Sequence, residues 1–362
     1  MNRLTPASAT FKPQLNDFNR RLGLLHLSPA IGLLLAILLC VAMAAWAGAV
    51  PVTWGDWQTL FMQQGNSQLT GGAYVLWELR LPRIVFALAI GAALGLSGAL
   101  TQGLFRNPLA DPGLLGVSSG AACAAALSIV FLASWQNQLP EAWRLWLLPS
   151  AAFIGALAVC FLLDRVARWL TAESIAGLLL TGIALNALAA AIIGLCTYLA
   201  SDEQLRTLSF WTLGSLAAGS WTVSLALLGI LALAFWQMRR LLMAMNALAL
   251  GEAAAEHVGI SVRQLRSRVI VLVALLSGFA VAWCGMIGFI GLVAPHIVRM
   301  LAGPDQRQLA PLSMLMGAVL LLLADTAART AAIPAEIPVG IFTALLGAPF
   351  FLFLLLRQRR GV

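Results

Sequence analysis

Lysine is almost absent from this chain: of the 22 basic residues only Lys12 is a lysine. A phosphate-binding loop of the G-x-x-x-x-G-K-[ST] kind needs a lysine to reach the terminal phosphates of a nucleotide, so no such loop exists here. Any ATP dependence must come from another polypeptide. Charge as a whole is scarce. Only 10% of the 362 residues are Asp, Glu, Lys or Arg, against roughly 25% in soluble domains, so the chain cannot solvate a globular surface. The five cysteines, Cys40, Cys123, Cys160, Cys196 and Cys284, all fall inside apolar runs. An odd number so placed gives neither a disulfide framework nor metal-ligand spacing, and they read as small packing residues. His26, His257 and His296 are scattered, and Tyr74 and Tyr198 are the only tyrosines, so no cluster of iron ligands forms. His296 is expected to be a hydrogen-bonded packing residue. A membrane enzyme finds no paired acids, nucleophile or metal set to support it.

What the chain has instead is apolar length. Hydrophobic residues make up 61% of it, and the mean hydropathy is +0.91. Ten segments approach the roughly 20 residues needed to cross a bilayer: 29–49, 82–104, 113–133, 147–164, 174–200, 221–238, 268–288, a short 290–301, 309–329 and 339–356. The expected fold is an all-α, polytopic membrane protein. It comprises an N-terminal tail (1–28), a transmembrane domain (29–356) and a C-terminal tail (357–362). The Ala47-Gly48-Ala49 end of the first segment is compatible with signal cleavage, but the segments that follow favour an anchoring helix. An even number of spans puts both termini on one side. On that arrangement Arg80, Arg83, Arg144, Arg206 and Arg329 share one face, and the remaining 17 of the 22 basic residues share the other. That asymmetry predicts cytoplasmic termini. The net charge of +8 is therefore topology rather than nucleic-acid binding.

Three features stand out from generic span. Asp325 is the one acid well inside an apolar run, and Arg329 follows it at the i,i+4 spacing of a helical ion pair. An ionisable group in hydrocarbon is functional by default, yet a pair near a helix end is equally well structural. A carrier driven by a proton or sodium gradient would need a relay of such carboxylates, and one with a ready partner argues against it. Residues 201–220 form a polar-aromatic excursion. Residues 239–267 form the longest loop on the arginine-rich side, where Gly251 and Gly259 bracket a short alanine-rich helix that Gly259 is placed to end. By residue type alone this helix reads equally as an amphipathic surface element. Small residues such as Gly91, Gly95, Gly285, Gly288 and Gly291 permit close helix packing.

The stretch Leu250-Gly251-Glu252 through Val258-Gly259 resembles the coupling loop of the FecCD permease family, importers of ferric siderophores, haem and cobalamin. Four more stretches agree in order and spacing, from about residue 75 to 355. They are Leu79-Arg80-Leu81-Pro82-Arg83; Arg106-Asn107-Pro108-Leu109-Ala110-Asp111-Pro112; Gly288-Phe289-Ile290-Gly291-Leu292-Val293-Ala294-Pro295-His296; and Glu336-Ile337-Pro338-Val339-Gly340. The resemblance implies a homodimer in the bacterial inner membrane with a central pathway, rocking between inward- and outward-facing states. It implies two cytoplasmic ATPase subunits holding ATP and Mg2+, a periplasmic binding protein, and no cofactor or metal on this chain, which is not itself an enzyme. It assigns ATPase coupling to Leu250, Gly251, Glu252, Ala254, Glu256, His257 and Gly259. It assigns binding-protein docking to Arg80, Arg83 and Arg329. Residues 182–216 most resemble the haem-importing branch, with ferric siderophore and then cobalamin as alternatives. On that reading Arg206, expected on the buried side of the outer face, pairs with a propionate. Phe210 and Trp211 offer flat apolar surface to a porphyrin.

Overall fold

A computed structural model describes residues 28–62, 71–136, 138, 140–170 and 175–359. The expected N-terminal tail, save Ser28, lies outside the described residues, as do 360–362. The described chain is helical, with α1 (Pro29–Trp46), α2 (Trp54–Met62), α3 (Gly71–Leu104), α4 (Val117–Phe131), α5 (Glu141–Leu170), α6 (Ile175–Leu199) and α7 (Asp202–Leu213) in its first part. There follow α8 (Trp221–Ala249), α9 (Glu252–His257), α10 (Val262–Cys284), α11 (Ile290–Ala302), α12 (Gln306–Thr330) and α13 (Val339–Arg359). Seven of these are long and apolar enough to cross a membrane, and α4, α11 and α13 supply shorter apolar helices. Together they account for the ten segments expected.

The segment boundaries differ from those read by hydropathy in both directions: α1, α4 and α6 fall inside the expected limits, whereas several long helices run past them. Helix α8 runs to Ala249 rather than 238, α10 starts at Val262 rather than 268, α5 spans 141–170 rather than 147–164, and α3 begins at Gly71 rather than 82. Hydropathy marks the part of a helix immersed in lipid, but the backbone hydrogen bonds continue into water. At 29 residues α8 is roughly 44 Å long, against about 30 Å of hydrocarbon. The expected 239–267 loop therefore shrinks to the connection around α9.

Helix α3 is the centre of the bundle, with 83% of its apolar window buried. Helices α1, α8, α10, α11 and α12 surround it, while α4, α5 and α6 form a flank joined through α10. Glycine makes the central contacts possible. A Cβ at Gly95 would lie 2.1 Å from the Ser313 carbonyl oxygen of α12, and one at Gly98 would lie 1.8 Å from the Gly291 carbonyl oxygen of α11. Backbones approach here because lipid supplies no hydrophobic drive for looser packing.

Helix α11 has 13 residues and is too short to span alone. The non-helical stretch 285–289 before it is buried or half-buried except at Gly288, which is exposed. The Ser215 amide donates to the Cys284 carbonyl at 2.7 Å. Cβ atoms at Gly214, Gly285 or Gly340 would strike the Met286, Trp211 and Leu213 carbonyl oxygens at 2.5, 2.0 and 2.2 Å. The end of α7, the 285–289 turn and the start of α13 are thus in direct backbone contact. The five cysteines are unpaired and buried or half-buried.

Candidate functional site

The turn around α9 sits at the arginine-rich end, between α8 and α10. Gly251 adopts φ 123° and Gly259 φ 82°, conformations that a residue with a Cβ rarely adopts. Both positions have open space around them, so the demand for glycine is conformational rather than steric. Gly259 closes the helix in a Schellman arrangement. The Ile260 amide donates to the Ala255 carbonyl at 3.0 Å and the Gly259 amide to the Glu256 carbonyl at 2.9 Å.

One residue of α9 faces inward: Ala255 is fully buried. Ala254, Glu256 and His257 are exposed, and the apolar side chains of Leu250 and Val258 are 81% and 69% exposed at the two ends. The His257 Nδ1 lies 2.7 Å from the Ala253 carbonyl oxygen. Glu252 is used internally, 3.3 Å from Arg266 of α10 and 3.8 Å from Arg106 in the α3–α4 connection. The sequence reading missed Ala255, Val258, Arg106 and Arg266. Of these, Val258 carried a signal, as an apolar residue between charges and a helix-ending glycine.

The three arginines assigned to docking do come together, at the opposite end, but in an unexpected posture. The Asp325 carboxylate is fully buried. Its Oδ1 accepts from Arg83 Nε at 3.1 Å and Nη2 at 2.9 Å, and its Oδ2 from Arg329 Nε at 3.1 Å. Arg83 reaches on to Glu336 at 2.8 Å. Arg329 donates to the Ala44 carbonyl at 3.3 Å and the Ala47 carbonyl at 3.4 Å. Arg80 donates to the Ala45 carbonyl at 2.9 Å, and also to Val50. Ala44, Ala45 and Ala47 present orphan carbonyls of the α1 C-terminus, where a helix dipole favours cations, and Val50 lies in the bend that follows. Arg80 and Arg329 are 5% and 7% exposed, whereas the Glu336 side chain is 48% exposed. The pair expected from spacing, Asp325 with Arg329, is present, and Arg83 joins it as a second cation that sequence separation concealed.

Helix α7 begins with a capping box between Ser201 and Gln204. The Gln204 amide nitrogen also satisfies the Ile129 and Val130 carbonyls at the end of α4, at 3.1 and 3.2 Å. This fixes the helix that carries Arg206, Phe210 and Trp211. Arg206 is exposed rather than on the buried side, because its turn of α7 faces away from α4. Phe210, one turn further, is 61% exposed on the same face, and half-buried Trp211 packs against the core. His296 packs edge-on against Phe350 at 6.1 Å, but its Nδ1 has no hydrogen-bond partner, so the expected hydrogen bond is missing.

Apolar helices packed around a buried centre, and a short exposed helix presented between two long spans, define a polytopic membrane permease. The chain matches the FecCD transport family over residues 34–357 and belongs to it. It is a permease subunit of the ABC importer class and not an enzyme, the ATPase being a separate subunit. It is 45% identical to the hemin transport system permease protein HmuU of Yersinia pestis, over 91% of this chain and 96% of that one. It is 38% identical to the vitamin B12 import system permease protein BtuC of Salmonella typhimurium, over 91% and 95%. A solved metal-chelate type ABC transporter in an inward-facing conformation superposes with a TM-score of 0.76 at 32% identity, covering 90% of this chain and 98% of that one.

Proposed function

We propose that this permease moves haem from periplasm to cytoplasm by alternating access. It acts as a homodimer in the bacterial inner membrane, with both termini and the α9 turn cytoplasmic. The carrying observation is the 45% identity to a hemin permease across nearly the full length of both chains, against 38% for a vitamin B12 permease. Two ATPase subunits, binding ATP and Mg2+, seat against the exposed face of Leu250, Ala254, Glu256, His257 and Val258. Gly251 and Gly259 set its backbone, and Glu252 ties it to α10 and the α3–α4 connection. A nucleotide-driven shift of that face is thereby carried into the bundle.

A periplasmic binding protein docks at the opposite end, around Arg80, Arg83 and Arg329. Arg83, whose partner Glu336 is accessible, is the group of the three best placed to exchange partners with an incoming acid. The exposed Arg206 and Phe210 offer a cation and a flat ring one helical turn apart, chemistry suited to a propionate and a porphyrin edge. The alternative cargoes are a ferric siderophore and cobalamin. Proteoliposomes carrying the assembled complex, loaded with ATP and offered haem, a ferric siderophore or cobalamin, test the cargo. ATP-dependent uptake of haem alone is expected, reduced in Arg206→Ala with assembly and basal hydrolysis intact. Uptake of a siderophore without haem would overturn the cargo and leave the importer class standing. Unaltered haem uptake in Arg206→Ala would remove that residue from the pathway.

A further inference from the structure

Helix α8 carries its own ruler. Trp221 opens it and pairs with Trp77 at 5.2 Å, an arrangement typical of the aromatic belt at a membrane surface. At 1.5 Å per residue, Arg239 and Arg240 lie roughly 27–29 Å further along, at the far edge of a hydrocarbon core about 30 Å thick. Both are exposed, and they continue the exposed apolar face of Leu225, Leu228 and Trp236. The Arg240 guanidinium lies 3.8 Å over the Trp236 ring. Among the described residues neither arginine has an acid partner. One turn on, exposed Met243 accepts from Arg307 Nε at 3.0 Å through its sulfur, which brings a third guanidinium to the same level.

The neighbouring acids already hold partners. Asp305 accepts from the Arg307 amide at 2.9 Å and the Asn246 side chain at 2.7 Å, and these bonds, with the charge of Arg307 nearby, hold its carboxyl below the usual range. Glu252 is taken by Arg266 and Arg106.

We propose that Arg239, Arg240 and Arg307, with Trp236, bind the headgroup of an anionic phospholipid in the leaflet at the arginine-rich end. Guanidinium groups match phosphate geometry with charge-assisted hydrogen bonds. Stacking on Trp236 orients one of them in advance. The apolar face leading from the site toward the bilayer centre receives the acyl chains, which favours a lipid over a soluble phosphate.

Native mass spectrometry of the full chain, equilibrated with phosphatidylglycerol and phosphatidylcholine, tests this. The wild type is expected to retain phosphatidylglycerol selectively. Arg239→Gln with Arg240→Gln should weaken that retention about thirtyfold, from roughly fivefold per arginine near a membrane surface. Arg165→Gln with Arg168→Gln, which removes equal charge from α5, should leave retention intact. Trp236→Leu, which keeps both charges, should weaken it less than the arginine pair. Equal retention of the two lipids, or retention that survives loss of both arginines, overturns the site. Displacement by inorganic phosphate as readily as by phosphatidylglycerol would make it a soluble-anion site and overturn the lipid assignment.

Discussion

Replacing Asp325 by leucine removes the one anion that Arg83 and Arg329 share among the described residues. Arg83 keeps Glu336 at 2.8 Å, but Arg329 is left with two long carbonyl contacts at 3.3 and 3.4 Å. Arg329 is only 7% exposed, so its charge has no solvent to turn to. Removing one partner of a buried pair costs about 3–5 kcal/mol, mostly through the charge left behind. Arg329→Met should cost less, because Asp325 keeps both contacts from Arg83. The double variant, Asp325→Leu with Arg329→Met, should be more stable than Asp325→Leu alone, since no stranded cation remains. Size-exclusion recovery after graded heating, in one lipid–detergent mixture, ranks the four proteins. A double variant no better than Asp325→Leu would refute the stranded-charge argument. So would an Asp325→Leu protein that melts with the wild type.

The purified chain alone should hydrolyse no ATP, and saturable phosphate release free of partner contamination would refute the separate-ATPase assignment. Ala255→Pro should break α9 at a cost of about 3 kcal/mol, since it removes the Ala255 amide bond to the Gly251 carbonyl, and Gly259→Val should strain a left-handed position by about 1–2 kcal/mol. In the assembled complex both should lower import per ATP hydrolysed, and unchanged coupling ratios would place the contact elsewhere. Gly98→Ala, whose new Cβ would meet the Gly291 carbonyl, should lose folded yield, while Gly194→Ala, with nothing within 4 Å, should not. Similar yields for the two would show that the α3–α11 contact relaxes without cost.

Period and hydropathy carried the fold because a membrane asks for apolar length, and length is visible in sequence. The same physics hid the helix ends: beyond the hydrocarbon α8 continues on Arg239, Arg240 and Asn246, residues that hydropathy counts as loop. The Asp325–Arg329 pair was legible because its spacing is local, whereas Arg83 stands 242 positions from Asp325. Arg80 was read as an outward charge because its acceptors are main-chain carbonyls, which every residue has and no sequence advertises. The glycines of the α9 turn were legible in residue type, but the burial of Ala255 beside exposed Ala254 depends on which side of α9 meets the bundle. Arg206 was misplaced for the same reason, since a side chain's facing on a short surface helix follows from the elements it packs against.

The backbone contacts among Gly214, Gly285 and Gly340 leave no clearance where α7, the 285–289 turn and α13 meet. With carbonyls abutting bare Cα atoms, none of the three can rotate past another without separating first, because close-packed interfaces shift between discrete arrangements rather than slide. Helix α7, the carrier of Arg206 and Phe210, is in this sense geared to α13. A displacement of α13 therefore bears on α7 mainly through main-chain contacts, at Gly340 against the Leu213 carbonyl and at Gly285 against the Trp211 carbonyl.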